Sequence, residues 1–149
     1  LRMFRWDGQF YGMAMPGVFY RSRDGLTGFE GGPQLFNSDM RHSALLVRDN
    51  TLYVFWTQVG DAPERLLLSR IDISADWTTW QESDPQEVLR PEETWEGADR
   101  PLEPSVRGAI ETPVNQLRDP ALFEEDGKVW LLYSVAGEYG IAISTLEIH

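Results

Sequence analysis

Cysteine is absent from the 149 residues, which removes disulfide staples, thiolate metal ligands and a cysteine nucleophile together. Histidine is nearly absent. With only His42 and the terminal His149, a histidine-built metal site is not expected, and no cofactor is expected either. No calcium-loop spacing and no phosphate-cradling glycine loop is present. Basic residues are scarce, 13 against 24 acids, for a net charge of −11. Nucleic acid and anionic membrane both need a basic footprint, so neither is an expected partner. No apolar run approaches the ~20 residues of a membrane-spanning helix. The chain opens on Leu1 with no charged-then-apolar leader, which leaves a processed start, a disordered start or a piece of something longer as open alternatives. Helical periodicity is also nearly missing.

Strand-like runs fill the space instead. "QFYGMAM", "TLYVFWTQV", "RLLLSRIDI", "KVWLLYSV" and "GIAISTLEI" are rich in aromatic and β-branched residues and are bounded by Gly, Asp, Asn and Pro. Asp-Gly at 7–8, Asp-Asn at 49–50 and Asp-Gly at 126–127 read as tight hairpin turns. The chain is therefore all-β. Aligning the turns reveals one unit seen three times. "RMFRWDGQFYGMAM", "ALLVRDNTLYVFWT" and "ALFEEDGKVWLLYS" each place an acid-led turn between a short apolar strand and an aromatic one. A third strand follows each: "GVFYRSRD", "RLLLSRID" and "GIAISTLE". Repeats of roughly 40–50 residues with about four strands mark propeller blades. The expectation is one β-propeller-like domain over 1–149, with about three four-stranded antiparallel blades at 3–35, 40–80 and 117–148. A β-sandwich with similar hairpins is the alternative. Residues 82–117 carry five of the nine prolines and nine acids without a sustained period, so they are expected to form an inserted loop, pinned by Trp95 and Leu102.

"RDPALFEEDGKVWLLYS" followed by "GIAIS" resembles the blade-opening motif of five-bladed β-propeller glycosidases of the arabinanase and β-xylosidase type, with invertases as relatives. "MRHSALLVRDNTLYVFWTQVGDAPERLLLSRIDISADWTTW" resembles a neighbouring blade, closed by "DWTTW". The chain as a whole is similar to the C-terminal portion of uncharacterised bacterial members. The resemblance implies a glycoside hydrolase-like protein acting on or binding carbohydrate in a central funnel. It also implies three acids from different blades: a general base, a second Asp that orients substrate and tunes pKa, and a general acid Glu. Asp119 matches the Asp of the Asp-Pro motif. Arg41-His42 stands at the corresponding place in the middle blade, where the family often shows an acid.

Read as chemistry, Asp119 is the first catalytic candidate, because Arg118 and Pro120 favour a fixed position at a strand entrance and Arg118 favours the ionised form. The plainer alternative is an acid that accepts backbone hydrogen bonds at a turn. Glu138, in "AGEYG", is the second candidate and Glu111, in "AIETP", the third; each is otherwise an exposed loop acid. Arg41, His42, Arg118, Trp95 and Tyr139 are candidate substrate-binding residues, the last two by stacking on a sugar ring. Arg41, His42, Arg118 and Asp119 precede apolar strands at equivalent points of two repeats, so they are expected to share one concave site. Trp56, Trp130, Tyr53 and Tyr133 are expected in the core. Three blades leave two sheet faces without a neighbour. Those faces are expected to be covered by a second copy of the chain, as a homodimer, or by missing blades of a longer chain; carbohydrate is the partner the resemblance implies, and the competing reading is a non-catalytic binding or assembly module that homodimerises.

Overall fold

Each strand pairs with its neighbour in sequence, giving three antiparallel meanders over residues 1–148 of the computed structural model. His149 lies outside the described residues. The first sheet holds β1 (Arg2–Trp6), β2 (Gln9–Ala14), β3 (Val18–Ser22) and β4 (Glu30–Gln34) in that order. The second holds β5 (Met40–Arg48), β6 (Thr51–Gln58), β7 (Leu66–Asp72) and β8 (Gln86–Leu89). The third has three strands rather than four: β9 (Arg118–Glu125), β10 (Lys128–Val135) and β11 (Gly140–Leu146), with β10 in the middle. Among the described residues the only helical pieces are two 3₁₀ turns, Trp77–Thr79 and Thr94–Glu96.

The three acid-led turns are two-residue hairpin loops, closed by the pairs Trp6↔Gln9, Arg48↔Thr51 and Glu125↔Lys128. Asp7, Asp49 and Asp126 sit at φ 44°, 49° and 50°. A left-handed first turn residue matches the twist of the flanking strands, and Asp tolerates that conformation better than most residues.

The side-chain period of two decides how the sheets stack. On β6, Leu52, Val54 and Trp56 face the first sheet and join Tyr11, Met13, Phe19, Met40, Ile71, Trp77 and Trp80 in one core. Phe55 faces the other way, with Ala44 and Leu68, toward Leu122 and Leu146 of the third sheet. Both faces of β6 are covered, which is why "LYVFW" reads as an unbroken apolar run. "DWTTW" closes the second blade by turning Trp77 and Trp80 back onto the first. Asp76 caps the turn by accepting from Thr78 N at 2.9 Å. Gly32 makes this contact possible, because a Cβ there would lie 2.2 Å from the Trp77 ring.

The inserted segment departs from the expected loop. Residues 86–89 form β8 and pair with β7, a strand of four residues that is too short to show a period. Trp95 and Leu102 do not pin the segment; they are 55% and 65% exposed. Polar contacts hold it instead. Glu96 is buried, caps its own turn by accepting from Glu92 N and Glu93 N, and accepts from the Tyr133 hydroxyl at 3.3 Å. Ser105 exchanges backbone bonds with the β6–β7 turn, Ser105 N to Asp61 O and Gly60 N to Ser105 O. Arg107 Nη2 donates to Ser38 O at 2.7 Å.

Candidate functional site

β5 and β9 are the first strands of their sheets and lie beside one another. Each breaks register just after it begins. The β5–β6 ladder shifts between Arg41 and Ala44, and the β9–β10 ladder shifts between Leu132 and Ser134, opposite Arg118. At both breaks a non-glycine residue takes the left-handed conformation: His42 and Asp119, each at φ 47°. A bulge of this kind suspends the in–out alternation and re-aims a side chain. Strain of order 1–3 kcal/mol at such a residue persists only where surroundings over-determine it. Here the consequence is the same in both strands. The arginine goes inward and its successor turns outward. Arg41 and Arg118 are buried, while the side chains of His42 and Asp119 are 22% and 48% exposed.

The outward pair meets. His42 Nε2 lies 3.5 Å from Asp119 Oδ1. The other ring nitrogen, Nδ1, is 3.3 Å from Thr57 Oγ1, and Asp119 Oδ2 accepts from Ser134 Oγ at 3.4 Å. A neutral imidazole that donates from Nε2 and accepts at Nδ1 satisfies both contacts. Burial pushes the His42 imidazole below its ordinary value, with Asp119 opposing and Arg41 assisting. The neutral ring is thus the favoured form, and it fixes one oxygen of a carboxylate that faces solvent.

The inward pair forms a buried ionic cluster. Arg41 donates through Nε and Nη2 to the two oxygens of Glu64, at 2.9 and 2.5 Å. Glu64 is fully buried. Burial works to raise its carboxyl, but the Arg41 bonds and help from Ser105 and Thr57 prevail and hold it below the usual range. Arg118 donates Nε and Nη2 to Gln116 Oε1 at 2.9 and 2.6 Å, and Nη1 to both Gly108 O and Glu138 Oε1 at 3.2 Å. Its Nε is also 3.7 Å from Glu64 Oε2. Burial pulls the guanidinium below its ordinary value, with Glu64 and Glu138 opposing. Arg118 therefore does not bond Asp119; it positions Glu138, whose side chain is 39% exposed.

The structure thus brings Arg41, His42, Arg118, Asp119 and Glu138 together. Tyr139 stands at the rim, 55% exposed, with its hydroxyl donating to Glu111 O. Trp95 is 55% exposed, in the 3₁₀ turn of the inserted segment. Glu64, Thr57 and Gln116 belong to the site and escape a reading of the sequence. The only sign of Glu64 is an acid directly before an apolar strand, in "PERLLL", a pattern shared with ordinary turns.

No family profile matches the chain. The uncharacterized protein R118 of Acanthamoeba polyphaga mimivirus is 39% identical over 158 residues, an alignment that covers 95% of this chain and 44% of the relative. That relative is viral, where the sequence resemblance points to bacterial proteins. The chain spans less than half of its length. Among solved structures, a thermostable family-43 glycoside hydrolase superposes with a TM-score of 0.64 at 15% identity, over 98% of this chain and 49% of that one. The Cellvibrio cellulosa alpha-L-arabinanase complexed with arabinohexaose superposes with a TM-score of 0.55 at 14% identity, over 99% and 52%. At these identities the likeness concerns the fold. This chain has the fold of part of a glycosidase-type β-propeller, three blades in succession.

Proposed function

We propose that the chain is a glycoside hydrolase-like propeller protein that binds a carbohydrate in the funnel at the inner ends of β5 and β9. The observation that carries this reading is the pair of matched bulges. Two neighbouring blades each accept a left-handed residue, and the two side chains so aimed, His42 and Asp119, meet at 3.5 Å. Asp119, held by His42 and Ser134, is the carboxylate suited to activating water. Glu138, held through Oε1 by Arg118, is the second carboxyl group that glycoside hydrolysis requires. Tyr139 offers a ring at the rim. The fold shared with family-43 enzymes supports the assignment of ligand class.

The test pairs binding with turnover. Calorimetry with neutral arabino- and xylo-oligosaccharides is expected to show saturable binding to the unmodified chain. Asp119→Asn is expected to keep affinity within about tenfold while lowering reducing-end release by about 10²–10⁴-fold. A folded chain that binds none of these sugars overturns the proposal.

A second reading, an assembly module, is favoured by the outward face of the third sheet. Ile141 and Ile143 are 79% and 59% exposed, and Phe123 and Trp130 lie across the same face by register, so Trp130 is outside the core expected of it because the strand's period of two turns it outward. We propose a second copy of this chain as the occupant, because the solved propellers it matches are about twice its length, so two copies supply one ring. Light scattering is expected to give twice 17.1 kDa. A monomer stable on dilution excludes the dimer and counts against a partial propeller that stands alone; the competing cover is further blades of a longer chain.

A further inference from the structure

Arg41 and Arg118, both candidate substrate-binding residues in the sequence, are cations of the type that would grip an anionic ligand. The geometry removes both from that task. Arg41 closes on Glu64 through two nitrogens, and Arg118 uses all three nitrogens on Gln116, Gly108 and Glu138. Their exposures are 4% and 0%. A guanidinium with its donors committed and no surface cannot meet an incoming carboxylate or phosphate without first breaking a buried pair. Arg107, on the inserted segment, bonds Ser38 O and Asp39 through Nη2. What the funnel offers to a ligand is different in kind: the carboxylates of Asp119 and Glu138, the edge of a neutral His42 ring and the Ser134 hydroxyl. The two carboxylates and the Ser134 hydroxyl accept hydrogen bonds from hydroxyls, while both nitrogens of the His42 ring are already engaged, by Asp119 and Thr57. The carboxylates also repel a second negative charge, in a chain of net charge −11.

We infer that the site selects uncharged, hydroxyl-rich sugars and rejects sugars bearing carboxylate or phosphate, and that Glu64 is the specificity-determining residue. Glu64 lines no ligand surface. It acts by holding Arg41, with Arg118 at 3.7 Å, in the wall. Removing its charge leaves two guanidinium groups beside the funnel with one anionic partner fewer, and the site turns from anion-excluding to anion-accepting. This inference rests on the carbohydrate reading of the funnel, but its central variant is tested without a neutral sugar.

The experiment is calorimetric titration of the full chain with a neutral arabino-oligosaccharide, a galacturonic acid oligomer of equal length, and inorganic sulfate. For the unmodified chain the uronate is expected to bind at least tenfold more weakly than the neutral oligomer, and sulfate not at all. Glu64→Gln is expected to gain binding of uronate and sulfate, with an affinity that falls as salt rises. Glu138→Gln, at a half-exposed position, removes the negative charge opposite Arg118 Nη1 and serves as the second variant should Glu64→Gln fail to fold; a smaller gain of the same sign is expected. Uronate binding to the unmodified chain as tight as neutral binding overturns the inference. So does a folded variant of either kind that remains blind to both anions. If the neutral oligomer does not bind while the variants gain the anions, the carbohydrate reading falls and the charge assignment stands.

Discussion

The junction between the first and second sheets and the junction between the second and third join equivalent units by opposite chemistry. At the first, Phe4 stacks on Tyr11 at 5.3 Å, Tyr11 lies 5.2 Å from Trp80, and Phe19 meets Trp80 edge-on at 5.6 Å. At the second, apolar packing by Leu66, Leu117, Leu131 and Tyr133 shares the space with Arg41, Glu64, Gln116 and Arg118. Aromatic pairs add roughly 0.5–1.5 kcal/mol each beyond their burial. Buried ion pairs, once desolvation is counted, are often no better than apolar residues of the same volume. The first junction is joined by ring packing, and the second gives part of its space to buried charged groups behind His42 and Asp119.

That contrast can be broken most directly at its two centres. Trp80→Ala is expected to cost about 3–5 kcal/mol in urea denaturation, as large aromatic truncations in a core do. Glu64→Ala is expected to cost a similar 3–5 kcal/mol or so, because it strands buried guanidinium charge. The joint replacement Glu64→Leu with Arg41→Met then decides between the two accounts. If the polar junction serves function, the double variant recovers most of the loss and forfeits ligand selectivity. A double variant as unstable as Glu64→Ala would show that the ion pair itself is what joins the sheets.

Acid sharpens the same contrast. The folded His42 imidazole lies below its ordinary 6.5 because of burial, and the folded Glu64 carboxyl lies below its ordinary 4.5 because Arg41 overcomes burial. In both cases the unfolded chain takes up the proton first. Stability is full above pH 6.5, declines as the pH falls through the window down to His42's folded value, and declines again below 4.5. His42→Gln is expected to erase the upper decline alone. Trp80→Ala is expected to lower the whole curve without reshaping it, since no titrating group of the site touches that ring. The smallest effect belongs to an ion pair outside both junctions. Arg48 and Glu124 join the second and third sheets across solvent, with side chains 39% and 49% exposed. Glu124→Gln is expected to cost less than about 1 kcal/mol, and the difference should vanish at 1 M salt.

The repeating unit was legible because the acid-led turns are local: two residues decide the backbone, and Asp7, Asp49 and Asp126 supply the conformation. The meeting of His42 and Asp119 was legible because symmetry carries equivalent residues to equivalent places. β8 was not, since four residues hold no period, and neither was Glu64, whose meaning comes from Arg41 23 positions away. The proposed grip of Trp95 and Leu102 failed for a related reason. Composition picks out apolar residues in a loop, but this segment is held by carbonyls and by buried Glu96 and Ser105, which composition cannot distinguish from solvated ones.

The inserted segment, finally, is tied down on both sides of one exposed stretch. Residues 101–104 are exposed and lie outside regular structure. On one side of them, Glu96 is bonded to Tyr133 and Ala136 of the third sheet. On the other, Ser105 and Leu117 are bonded to Asp61 and Glu64 of the second. A protease that nicks the chain after Leu102 is therefore expected to leave pieces 1–102 and 103–149 associated, since each carries backbone partners of the other; gel filtration of the nicked chain checks it.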